Sequence, residues 1–212
     1  MEQISKVITV EEHFMSEKVN GEYQKLLEKK NLTLAQKAKA NFIQQFVAKG
    51  EITEVGEKRL EFMETHGIDC QILSYGNNSP SYLDPKQAVV LCQMANEELA
   101  GYCKQYPGNF YGFAVLPVGD TGAALTELER AVKTLGLKGI IFNGAYQESY
   151  FDEDRFFPIF EMAQELKVPV MLHPGEVPTE VAKTYYQGSW PVAVANVFAG
   201  HGIGWHYDAW VQ

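Results

Sequence analysis

The chain has 212 residues, 46% of them hydrophobic and 21% charged, with 18 basic against 27 acidic side chains and a formal net charge of −9. That length can bury a substantial core as one domain. The acidic balance argues against a nucleic-acid surface, which needs a basic footprint, and no apolar run approaches the ~20 residues of a membrane span.

Taken in chain order, the N-terminus carries no basic segment followed by an apolar stretch, so no signal peptide is expected. Residues 7–10 read as the first strand. Residues 31–50 form a polar, helix-prone insertion between two glycine-bearing breaks, with a helix expected over 34–47. A second helix is predicted over 52–66, closed by Gly67 as its C-cap. A strand follows at 70–74, then a loop over 75–85 rich in Gly, Asn, Ser and Pro. Pro85 opens a long helix to about Tyr106, with proline in the first turn. The pattern continues as strand 110–116, helix 121–135 stopped by Gly136, strand 139–142, loop 143–150, helix 152–166 and strand 168–173. The remainder, 175–212, reads mostly as loop. Of the three cysteines, Cys92 and Cys103 fall on one predicted helix. They would be ~16 Å apart, too far for a disulfide, and the odd, sparse set points to reduced thiols in the cytoplasm.

The β-α-β-α order implies a parallel sheet with right-handed crossovers. A doubly wound dinucleotide fold would place a glycine-rich phosphate loop after the first strand. Here that strand runs into Glu11-Glu12-His13-Phe14, so the (β/α)8 TIM barrel is favoured. Five strands can be counted where such a barrel has eight in ~250 residues. The expectation is therefore one barrel domain over 1–212, with a helical insertion around 20–66, representing the N-terminal two-thirds of a barrel and incomplete at its C-terminus.

Two polar signatures sit at the ends of apolar strands. Glu11 and His13 share one side of a strand while Glu12 turns away, and His173-Pro174 closes the run Val168 to Leu172. These ligand types converge where a parallel barrel keeps its chemistry, which suggests a metalloenzyme.

These stretches resemble the amidohydrolase-2 family of metal-dependent hydrolases and decarboxylases, in particular its γ-resorcylate decarboxylase-like branch. The resemblance is carried by Val10-Glu11-Glu12-His13-Phe14, by Gly67-Ile68-Asp69-Cys70-Gln71-Ile72-Leu73-Ser74, and by Phe110-Tyr111-Gly112-Phe113-Ala114-Val115-Leu116-Pro117. It continues through Leu137-Lys138-Gly139 to Asn143-Gly144 and through Val168 to Pro174. Most of the superfamily begins with His-x-His, and Glu11-x-His13 is similar to the decarboxylase variant. The resemblance implies that Glu11, His13 and His173 are metal ligands of one divalent ion, zinc or manganese. It also implies a fourth Asp ligand and a catalytic histidine in a Gly-His-x-Gly-Glu-like segment. Neither has a counterpart here, so the catalytic group is expected in a missing C-terminal segment. Gly200-His201-Gly202-Ile203-Gly204 imitates that segment, but no acid follows it.

Around the ligands, Phe14, Asn143, Trp205 and His206 are candidates to line a substrate pocket, with Asn143 equally readable as a turn residue. Glu12 is read as a supporting residue and His66 as a partner of its helix's C-terminal dipole. Tyr150, Phe151, Phe156, Phe157 and Phe160 read as core. The expected activity is non-oxidative decarboxylation of a small aromatic or unsaturated carboxylic acid. The alternatives are metal-assisted hydrolysis of an ester, lactone or amide, and a non-catalytic fragment needing a partner or its missing part. The expected partners are a small carboxylic acid and further copies of the chain, with no nucleic acid and no membrane.

Overall fold

A computed structural model describes residues 6–28, 52–76 and 79–173, with positions 180 and 184. Five parallel strands run through it: β1 (Ile8–Phe14), β2 (Cys70–Tyr75), β3 (Phe110–Ala114), β4 (Gly139–Asn143) and β5 (Val170–His173). Around them lie α1 (Glu17–Glu28), α2 (Glu57–His66), α3 (Pro85–Gln105), α4 (Thr121–Lys133) and α5 (Phe157–Leu166), with a 3-10 turn at Pro80–Tyr82. The strand order is sequential, β1-β2-β3-β4-β5, and every pair is parallel. A doubly wound sheet reverses its order at a switch point, so this order belongs to a barrel.

The curvature follows from one distance. In a flat sheet β1 and β5 would be separated by four strand spacings, roughly 19 Å. Instead the rings of His13 on β1 and His173 on β5 meet edge-on, with centroids 4.7 Å apart. The five strands are an arc whose ends face each other across its concave side.

The register defines the two faces. His13 pairs with Ser74, Ile72 with Tyr111, Ile141 with Met171 and Asn143 with His173, so these side chains share the concave face. Their neighbours point outward to the helices. Leu73, Phe110 and Ile140 are buried there against Leu99 of α3, Leu128 of α4 and Ile159 of α5. Gly112 lets α3 approach, since a Cβ at that position would lie 2.7 Å from the Leu99 side chain. Phe142, Phe151, Phe156 and Phe160 pack as an aromatic cluster beneath α5, as expected, although Phe157 is 49% exposed.

Several boundaries differ from the sequence reading. The first strand continues through Phe14, so the polar signature lies within it. The second helix begins at Glu57 because Ile52 is engaged elsewhere, its carbonyl accepting from Met15 N–H at 2.9 Å. The Glu54 carboxylate caps that helix by accepting from Arg59 N–H. Gly67 closes it with φ 67°, as predicted. The last helix starts at Phe157 because Pro158 lacks an N–H and is tolerated only in a first turn. Helix α1 overlaps the start of the helical insertion expected around 20–66, where no separate helix had been assigned. Ser16 caps it, its hydroxyl accepting from Val19 N–H at 3.0 Å while donating to Glu98 of α3 at 2.6 Å. The predicted helix over 34–47 and the segment 175–212, apart from positions 180 and 184, lie outside the described residues.

Candidate metal centre

At the C-terminal end of the arc, one ligand atom from each of Glu11, His13 and His173 lies within 4.8 Å of the others. The local chain explains how β1 delivers two of them. Thr9 pairs with Gln71 and Glu12 with Leu73, so β1 carries one extra residue opposite β2, a bulge at Val10 and Glu11. A bulge bends a strand and re-aims its side chains. After it, Glu12 faces outward with Leu73, and Glu11 and His13 take the concave side.

His13 Nε2 and His173 Nε2 stand 3.0 Å apart, and His173 Nε2 is 3.4 Å from Glu11 Oε1. Two imidazole nitrogens bound at ~2.0–2.1 Å to one ion lie about 3.0–3.4 Å apart, depending on the angle between them. The observed spacing falls in that interval. Two neutral imidazoles and a carboxylate are also the donor types that borderline divalent ions select. The donor set thus fits one divalent ion. The Glu11 side chain is 59% exposed and His173 only 11%, so the cluster has a protein side and a solvent side.

His13 is held by residues that the sequence did not mark. Its Nδ1 lies 3.0 Å from Ser74 Oγ, and the Ser74 hydroxyl reaches the Glu12 carbonyl at 3.4 Å. The His13 carbonyl accepts from Arg59 Nη2 at 3.0 Å, while Arg59 Nε donates to the Glu54 carbonyl and Nη1 to the buried Gln71 side chain. A polar Ser74 ending the apolar run Ile72-Leu73 was the one available signal. Arg59 gave none, because its role depends on how α2 packs.

Among the other candidates, Asn143 ends β4 directly beside His173, half-buried on the concave face. It also precedes Gly144, which takes φ 62° and donates its N–H to the His173 carbonyl. The turn reading of Asn143 is seen in this geometry. Phe14 is different. It is 1% exposed and packs edge-on against Tyr75 and Tyr102. One residue beyond His13, strand alternation turns it outward into the core, which corrects its expected place in a pocket. His66 donates its Nδ1–H to the Phe62 carbonyl at 2.8 Å in the last turn of α2, as expected for a helix C-terminus. Trp205, His206 and His201 lie outside the described residues.

A family model described as amidohydrolase matches residues 45–208. The chain belongs to the amidohydrolase-2 family. The γ-resorcylate decarboxylase of Rhizobium radiobacter is 33% identical over 157 residues, covering 70% of this chain and 47% of that protein. Among solved structures, a Staphylococcus aureus protein assigned to the amidohydrolases is 36% identical with a TM-score of 0.76, covering 97% of this chain and 59% of that one. The 5-carboxyvanillate decarboxylase of Novosphingobium aromaticivorans, solved with manganese and a nitrobenzoic acid, is 28% identical with a TM-score of 0.75. That alignment covers 85% of this chain and 53% of the decarboxylase. The chain spans about half the length of the curated relatives it matches. The family-model match begins after β1, the strand that carries Glu11 and His13.

Proposed function

We propose that the protein is a metal-dependent carboxy-lyase that removes CO₂, without oxidation, from a small aromatic or unsaturated carboxylic acid. The single observation carrying this reading is the convergence of Glu11, His13 and His173 at one point of an arc whose relatives include γ-resorcylate decarboxylases. Glu11, His13 and His173 would hold one divalent ion, manganese or zinc. The Glu11 carboxylate shifts the donor set toward the harder of the two, and two related decarboxylase structures contain manganese.

Bound there, such an ion supplies a Lewis acid and a template for anionic oxygen. The chain's own residues set the surroundings. Asn143 can donate to or accept from a substrate oxygen beside His173. Ile72, Tyr111 and Met171 lie on the concave face, partly exposed, and offer apolar surface to an aromatic ring. Trp205 and His206 are proposed to line the same pocket. The proton donor to the departing carboxylate's carbon belongs outside the described residues.

We place this chemistry in one barrel domain over 1–212 of a cytoplasmic homo-oligomer. The cysteines Cys70, Cys92 and Cys103 are all free, which supports a reducing compartment. Among the described residues no helix is long and apolar enough to cross a membrane. The test is CO₂ release from a panel of hydroxybenzoates with manganese present, set beside turnover of lactones and esters. Release of CO₂ without lactone turnover supports the carboxy-lyase. Hydrolysis without CO₂ replaces it with the hydrolase.

A further inference from the structure

We infer that Ser74 is a positioning residue that presets His13 for metal binding by fixing its tautomer before any ion arrives. This rests on the metal reading above and adds to it the residue that prepares one ligand. Ser74 is fully buried on β2, in register with His13 across the β1–β2 pair. Its hydroxyl has one proton and two neighbours within reach, His13 Nδ1 at 3.0 Å and the Glu12 carbonyl at 3.4 Å. A carbonyl oxygen only accepts, and a hydroxyl proton directed to Glu12 leaves the Ser74 oxygen to accept from His13. His13 then carries its hydrogen on Nδ1, and Nε2 presents a lone pair to the cluster. A metal-ligating imidazole is commonly oriented through its other ring nitrogen in this way.

Arg59 holds the His13 main chain separately, donating to its carbonyl at 3.0 Å.

The experiment has two readouts on the 212-residue chain. Two-dimensional ¹H–¹⁵N spectra of the imidazole nitrogens, recorded without metal, report the tautomer of His13. Manganese titration reports affinity. Wild type is expected in the Nδ1–H form. Ser74→Ala is expected to lose that preference and to bind manganese about 10–100-fold more weakly, the usual effect of removing such a partner. Ser74→Thr and Ser74→Val add equal bulk and differ in the hydroxyl, so only threonine should keep the wild-type tautomer and affinity. A wild-type His13 in the Nε2–H form overturns the inference, as does a valine variant that matches threonine in both readouts. A wild-type chain that binds no manganese sinks the metal reading instead, and the tautomer then decides the role of Ser74 alone.

Discussion

The His13 ring and the His13 carbonyl are held by separate partners on separate elements, Ser74 of β2 and Arg59 of α2. Such double anchoring keeps a ligand's lone pair aimed within the narrow tolerance that coordination needs. The ligands themselves could be read from the chain, because i and i+2 of a strand share a face and because His173 ends its own strand. Their partners could not, since pairing Ser74 with His13 depends on a register across 61 positions and on the bulge at Val10 and Glu11. Phe14 was misread for a related reason: closeness in sequence to His13 places it on the opposite face. Phe14→Ala should cost about 3–5 kcal/mol of stability as a large core truncation, measured by denaturant unfolding, while manganese affinity in the folded fraction stays at the wild-type value.

At the scale of elements, most strands and helices were legible because their apolar runs and their Gly and Pro punctuation agree. Helix α1 was not, since Gly21 within it reads as a break. Tertiary packing outweighs that cost: Val19 is fully buried, and Ser16 both caps the helix and ties it to Glu98. Ser16→Ala should therefore destabilise the protein by about 1 kcal/mol from the lost cap, visible in the unfolding free energy. Helix α5 ends on Lys167 at φ 56°, a left-handed position without glycine. That conformation costs a side-chain-bearing residue roughly 1–2 kcal/mol, so Lys167→Gly should raise the melting temperature rather than lower it. A buried polar link was also invisible in sequence. Asn96 of α3 bonds both the N–H and the carbonyl of Val115 and donates to the Glu127 carboxylate, which Arg130 pairs at 2.7 Å. It fastens the segment after β3 to α3 and α4. Asn96→Ala leaves those buried groups short of partners and should cost about 1–3 kcal/mol.

For the whole molecule, the sequential parallel order could be inferred from the alternation of elements, whereas the tight curl could not. It becomes evident only when β1 and β5, the ends of the arc, bring His13 and His173 together. The interior behind the helices also sets a limit at high pH. Burial, reinforced by the Glu98 carboxylate, pushes the Tyr102 phenol up to about 12. The unfolded chain releases that proton near pH ~10. Between these values the folded state binds more protons, so stability should be full below about pH 10 and fall as pH rises toward 12. Unfolding free energies across that range, read beside tyrosinate absorbance, check the sign.

The central claim is that Glu11, His13 and His173 together hold one divalent ion. The most direct measurement is the manganese content of the purified chain after equilibration and gel filtration, for wild type and for Glu11→Ala. The account predicts one ion per wild-type chain and a marked loss in the variant, with both proteins folded by circular dichroism. An unchanged metal content in Glu11→Ala would contradict it.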